Sequence, residues 1–172
     1  MQFAHAIVRA SVCVLITVLC GCSESQPPTP SPLVSGLNSY LSYQEARNRL
    51  GVGTSGWEIV EDSKTDKEDR RPPYHLLVIG SRIFADLDEV GEIRLYFFND
   101  RLMSVVFSPR EPERYLRKLA IQRGIDLVGA QEVKIPPATL ITRVKPLSGR
   151  IFLRFEDVRL QEEHDNWIRR FS

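Results

Sequence analysis

The chain has 172 residues, 23 basic and 22 acidic side chains and a formal net charge of +1. That balance argues against general nucleic-acid binding and against polybasic attachment to anionic lipid, and the length suits one domain of ordinary size. Of the three cysteines, Cys13 and Cys20 stand in the first 21 residues, which leaves no pair for a disulfide or a Cys-ligated zinc site.

Residues 1–21 read as a signal peptide. Arg9 is their only charged side chain, histidine aside, and Ala10 to Ser23 is an uncharged stretch of 14 residues. A membrane span needs about 20 apolar residues, so this length fits a signal h-region instead. The segment closes on Leu19-Cys20-Gly21-Cys22, which resembles a bacterial lipobox. There a small residue precedes an obligatory cysteine, whose thiol takes a diacylglycerol before cleavage and whose new amino terminus is then acylated. The expectation is lipidation at Cys22, no free thiol in the mature chain, and 22 basic against 22 acidic side chains once Arg9 has left. Ser23 rather than Asp behind the cysteine resembles a sorting signal for the outer membrane, on its periplasmic face. Two or three acyl chains anchor stably where one holds only marginally.

Residues 22–35 follow as a linker. Ser23 to Ser35 holds four prolines and four serines and little that could join a core; such segments extend at about 3.1 Å per residue. Residues 36–172 are expected to form a single α+β globular domain, a small antiparallel sheet packed by about three helices.

Ser42-Tyr43-Gln44-Glu45 fits a capping box, with Tyr43, Ala46 and Leu50 on one face and Gly51 as the stop. Trp57–Asp62 and His75–Ile79 read as strands. Glu61–Arg71 has no apolar residue and is expected to be an exposed, mobile loop. Glu92–Phe98 and Leu102–Phe107 flank the turn-prone Asn99-Asp100-Arg101, with Ile93, Leu95 and Phe97 alternating against polar neighbours. A second helix is expected over Glu111–Arg123, with Tyr115, Leu116, Leu119 and Ala120 as its stripe and Gly124 closing it. Val144 and Ile151–Phe155 suggest a later hairpin. A third helix runs from about Val158 to Arg170, with Leu160, Trp167, Ile168 and Phe171 on one side. Leu95, Phe97, Val105, Phe107, Tyr115, Leu119 and Trp167 are expected to share one interior.

Three motifs invite a catalytic or ligand reading and fail on context. Gly51-Val52-Gly53-Thr54-Ser55-Gly56 matches GxGxxG, but a helix precedes it and a strand follows, the reverse of a dinucleotide site. Asp86-Leu87-Asp88-Glu89-Val90-Gly91 opens like a calcium loop, yet Phe97 stands where a bidentate Glu is needed. Glu162-Glu163-His164-Asp165 sits on a helix, where consecutive residues diverge, and His75 is far away in sequence. Leu95–Leu102 and Leu153–Leu160 share four of eight positions, which two amphipathic strands explain.

Gly36-Leu37, Ser42 to Glu45 and Leu50-Gly51, with the Trp57 strand and the Leu95–Phe107 hairpin, resemble small bacterial envelope lipoproteins with the fold of the β-lactamase inhibitor protein. One of these is an accessory lipoprotein of the outer-membrane β-barrel assembly machinery. The likeness covers roughly residues 36–107; Asn38–Leu41 intervenes after Gly-Leu, and Ala46 stands where that family has Val. It implies an antiparallel sheet used for binding, and since one fold hosts inhibitors, scaffolds and accessory subunits alike, it names no partner.

The expected function is that of a membrane-anchored periplasmic lipoprotein, held by acyl chains on Cys22, which binds an envelope protein and catalyses nothing. No cofactor, metal or nucleic acid is expected. A small-ligand carrier or sensor, an immunity lipoprotein and an envelope hydrolase remain alternatives. Protein binding calls for an exposed aromatic or arginine patch without a deep cavity, whereas a carrier needs an apolar pocket of ~300 Å³ or more.

Overall fold

The computed structural model describes residues 27–172 apart from 35, 52–55, 128 and 148. The signal peptide, Cys22 and the first part of the linker lie outside the described residues. In chain order the elements are α1 (Tyr43–Arg49), β1 (Trp57–Lys64), β2 (His75–Asp86), β3 (Glu89–Phe98), β4 (Arg101–Pro109), α2 (Pro112–Arg123), β5 (Glu132–Ile135), β6 (Thr139–Val144), β7 (Phe152–Asp157) and α3 (Val158–Phe171).

All strands join one antiparallel sheet in the order β1-β2-β3-β4-β7-β6-β5. This corrects the expected small sheet packed by helices: the sheet has seven strands, and strand outweighs helix, 41% to 24%. The period-2 signal understates the sheet for physical reasons. β2 is nearly continuous in burial over Val78–Ser81 and then opens to solvent, so alternation marks only part of it. β1 continues through the polar Glu61–Lys64, where Lys64 pairs with His75; an edge strand can satisfy its backbone on one side while its side chains meet water. The expected loop therefore begins after Lys64, and Arg71 at its far end donates to the Phe171 carbonyl at 2.7 Å.

Two hairpins align the centre. Leu87 and Asp88 (φ 50° and 57°) join β2 to β3, and Asn99 and Asp100 (φ 48° and 57°) join β3 to β4. Two consecutive left-handed residues give the turn whose twist matches paired strands. Gly91 is demanded by close approach, since a Cβ there would lie 2.3 Å from the Ser108 carbonyl oxygen.

Because strand side chains alternate between faces, the sheet has two unlike sides. One carries Ile93, Leu95, Phe97, Val105, Phe107, Leu153 and Phe155, all buried beneath α1 and α2 with Tyr115, Leu116 and Leu119. The capping box of α1 is present, and Gly124 ends α2 with φ 63°. The other side carries Phe98, Met103 and Leu160, with Tyr74, Tyr96 and Trp167 packed against them. Trp167 is thus not in the expected common interior. The spacing of the α3 stripe is as read, but the helix lies across the opposite face of the sheet, its indole 4.4 Å from the Tyr74 ring.

The expected linker also joins the fold sooner than its composition suggests. Leu33 and Val34 are fully buried in the main core, and Pro32 bridges to Asn38. A polar latch holds this segment. Asp157, itself buried, accepts from Ser39 Oγ at 2.7 Å and from Arg159 Nε at 2.9 Å. Ser39 Oγ in turn accepts from the Ser31 amide at 2.8 Å, and Arg159 donates to the Thr29 carbonyl at 2.8 Å. Thr139 Oγ1 donates to the Pro32 carbonyl at 2.8 Å.

Candidate functional site

The α3 side of the sheet is only half covered. α3 starts directly from the end of β7, with Asp157 as its N-cap, and rests over Phe98 and Met103. Arg101 fastens it by two hydrogen bonds to Glu163, at 2.6 and 3.0 Å. Beyond that contact, the middle of β3, β4 and β7 on this side is left without a helix.

The register lays out what stands there. Arg94 on β3 pairs with Val106 on β4, which pairs with Arg154 on β7. The next row is Tyr96, Ser104 and Glu156, and on the other side Glu92 pairs with Ser108. The central strand thus presents small side chains, Ser104, Val106 and Ser108, between two ridges of long ones. The result is a small depression of about 250 Å³ lined by Glu92, Arg94, Tyr96, Val106, Ser108, Phe152 and Arg154. Arg94 and Arg154 stand two strands apart, ~10 Å at ordinary strand spacing, close enough for both guanidinia to meet one group above Val106.

Both arginines are exposed, and neither forms an ion pair among the described residues. Of the nearby carboxylates, Glu92 lies 3.9 Å from Arg150. Burial pushes the Glu156 carboxyl up, against the opposing pull of Arg154. The site is therefore two available guanidinia flanked by Tyr96 and Phe152. Such a set suits recognition of a planar oxyanion such as a carboxylate, which arginine can grip bidentately.

The sequence-selected residues fall elsewhere. Cys22 lies outside the described residues. Gly51 follows the α1 cap and Gly56 precedes β1, while 52–55 between them lie outside the described residues. Asp86 accepts from the buried Tyr115 hydroxyl at 2.6 Å. Glu89 faces Arg114 at 2.7 Å and Lys118 at 3.2 Å, and Asp88 lies 3.7 Å from Lys118, so all three carboxylates of the calcium-like run are engaged by α2. His164 is packed edge-on against Phe98, its ring centroid 5.2 Å away, with the Tyr74 hydroxyl 3.3 Å from Nε2. His75 pairs with Asp62 at 2.8 Å. Alternation along β2 puts the His75 side chain on the side of Leu77, and the sheet separates it from His164. Among the described residues, no group of three or more His, Cys, Asp or Glu is placed to hold a metal, and no helix is long and apolar enough to cross a membrane.

Arg94 and Arg154 were not singled out from the sequence. Alternation put Arg94 on the polar side of β3, but only the return of β7 beside β4 brings Arg154 into its row. Comparison with family models, with curated proteins and with solved structures finds no match to this chain.

Proposed function

We propose that this chain is a lipid-anchored envelope protein that works by binding another envelope protein through the uncovered half of its sheet, without catalysis. The observation that carries the reading is the Arg94–Val106–Arg154 row between Tyr96 and Phe152. It is a patch of two exposed arginines and two half-buried aromatics, the residue types that dominate binding hot spots. An acidic side chain of the partner fits between the guanidinia, and Tyr96 and Phe152 supply apolar area around it. The lipobox at Leu19–Cys22 supports the anchor and the periplasmic, outer-membrane location.

The test places a photo-crosslinking side chain at Tyr96 and, as a control, at Ile121, which is 84% exposed on α2. A discrete crosslinked product from position 96 in intact envelopes is expected, absent from position 121 and abolished by Arg94→Glu with Arg154→Glu. Equal products from both positions, or none from position 96 in folded protein, would refute the assignment. The anchor is tested separately: Cys22→Ala should abolish labelling by a palmitate analogue, and continued labelling would remove it.

A carrier role has one observation in its favour, a trough of about 840 Å³ lined by Leu50, Trp57, Ile83 and Phe84 with Glu58 and Arg82. It predicts that native mass spectrometry of the purified protein finds a bound apolar molecule, lost on Trp57→Ala.

A further inference from the structure

We infer that β1 is the addition site for an extended, basic segment of another protein, which pairs along its free edge. The sheet ends in two unlike edges. β5 has four residues, with Lys134 in the middle, and a short strand bearing lysine is the usual protection against unwanted pairing. β1 has eight residues, WEIVEDSK, exposed along almost all of its length. It has no proline, and its one lysine stands at the end.

Apolar surface collects at this edge. Ile59 is 65% exposed and Val60 47%, and the irregularity in β2 between Ser81 and Phe84 turns out Ile83, which is 75% exposed. Trp57 and Phe84 stand edge to face at 6.4 Å beside them. The ladder shifts between Ile59 and Glu61, and Val60 leans over Gly80, where a Cβ would meet its Cγ2 at 3.2 Å. β-Branched and aromatic side chains of this kind are what a neighbouring strand packs against.

Charge chooses the occupant. β1 carries three carboxylates, Glu58, Glu61 and Asp62, against one ammonium, Lys64; among the described residues Asp62 pairs with His75 at 2.8 Å, and Arg82 stands beside Glu58 without pairing to it. Two copies of β1 placed edge to edge would bring their carboxylates together across ~4.8 Å, and like charges on paired strands are destabilising. The edge is thus guarded against a second copy of itself and open to a strand of opposite sign. An added segment that alternates Lys or Arg with β-branched apolar residues meets both features. Backbone hydrogen bonds then give affinity, and Glu58 and Glu61, which share one face of β1, give selectivity. Glu58, Gly80 and Arg94 stand in one row across β1, β2 and β3, so this surface adjoins the arginine row; what sets it apart is that it offers the unpaired backbone of a sheet edge.

The test uses the full chain, purified from envelopes in detergent, with three short synthetic peptides. One alternates lysine and valine, one alternates glutamate and valine, and the third is the lysine peptide N-methylated on alternate backbone nitrogens. The lysine peptide should slow hydrogen exchange of β1 amides and bind more weakly as salt rises; the other two should leave β1 unchanged. Glu58→Lys with Glu61→Lys should reverse the preference, moving the lysine-to-glutamate affinity ratio by about tenfold or more from its starting value. Equal binding of the lysine and glutamate peptides would overturn the proposal, as would a preference that charge reversal leaves unmoved. Protection mapping to Arg94 and Arg154 instead of β1 would overturn it too. So would self-association of the unmodified protein that protects β1, which would make a second copy the occupant.

Discussion

Replacing Asp157 should loosen the N-terminal segment before anything else in the domain. Burial alone would raise the Asp157 pKa, but hydrogen bonds from Arg159 and Ser39 and the Arg159 charge outweigh it and hold the carboxyl below the usual range. In Asp157→Ala three contributions are lost together. The α3 N-cap, which accepts from the Arg159 amide at 3.0 Å, is worth ~1 kcal/mol. The buried Ser39 hydroxyl loses its acceptor, which costs ~1–3 kcal/mol where nothing replaces it. Removing one partner of a fully buried ion pair costs about 3–5 kcal/mol, but the Arg159 side chain is 36% exposed and water can take over much of its solvation. The first two alone come to ~2–4 kcal/mol and the discounted ion pair adds to them, together a large share of the ~5–15 kcal/mol that holds a typical domain together. Asp157→Asn keeps the shape and the cap and should lose about half as much. A carboxyl with a depressed folded pKa stabilises above its unfolded value of about 3.9 and loses that contribution as pH falls through the folded value. The gap between wild type and Asp157→Asn in urea unfolding should therefore be constant from pH 7 to about 5 and shrink below about 4. Limited proteolysis should cut the Asp157→Ala variant first within residues 27–34. A loss under ~1 kcal/mol at pH 7, or a gap that widens in acid, would refute the reasoning.

Two more perturbations probe the main core. Phe97→Ala removes a fully buried ring that meets Tyr43 edge-on at 5.9 Å, and should cost ~3–5 kcal/mol by urea unfolding; a loss under ~1 kcal/mol would place the ring in water. Burial, with Asp86 adding to it, pushes the Tyr115 hydroxyl far above the ordinary tyrosine value. Absorbance titration should therefore count one tyrosinate fewer than the tyrosine content until the domain unfolds. Tyr115→Phe should restore agreement between the folded count and the tyrosines present, at a cost of ~1.5–3 kcal/mol for the lost hydrogen bond to a charged acceptor.

The helices were legible because their signals are local. Ser42 with Glu45, Pro112 with Gly124, and the Leu160–Trp167 spacing each act within a few residues, and the structure has a helix at each. The sheet was less so. Glu61–Lys64 looks like a loop because an edge strand needs no apolar face, and β5 is too short for alternation to mark. The stripe on α3 shows which side of the helix is apolar but not which face of the sheet receives it, and Trp167 was misplaced for that reason. Leu33 and Val34 were hidden among prolines whose composition suggested a linker, while the segment is held by groups far along the chain, Asp157 through Ser39 and Arg123, which donates to the Leu33 carbonyl. The arginine row was illegible for the same reason: 59 residues of intervening chain, holding β4, α2, β5 and β6, separate Arg94 and Arg154 before β7 returns to pair with β4.

The latch at Thr29 changes what kind of encounter this domain can have. With acyl chains on Cys22, as proposed, seven residues lead from the anchor to the first latched carbonyl, and seven residues cannot reach beyond about 25 Å. A domain of this size has a radius of gyration of only ~14 Å, so it would be confined to a thin layer against the bilayer. Two molecules held in one such layer meet by lateral diffusion, at an effective concentration that short tethers raise into the millimolar range. A small patch of two arginines and two aromatics would be a weak ligand in free solution. Confined in this way it needs only modest intrinsic affinity, provided its partner presents the complementary surface within the same few nanometres of membrane.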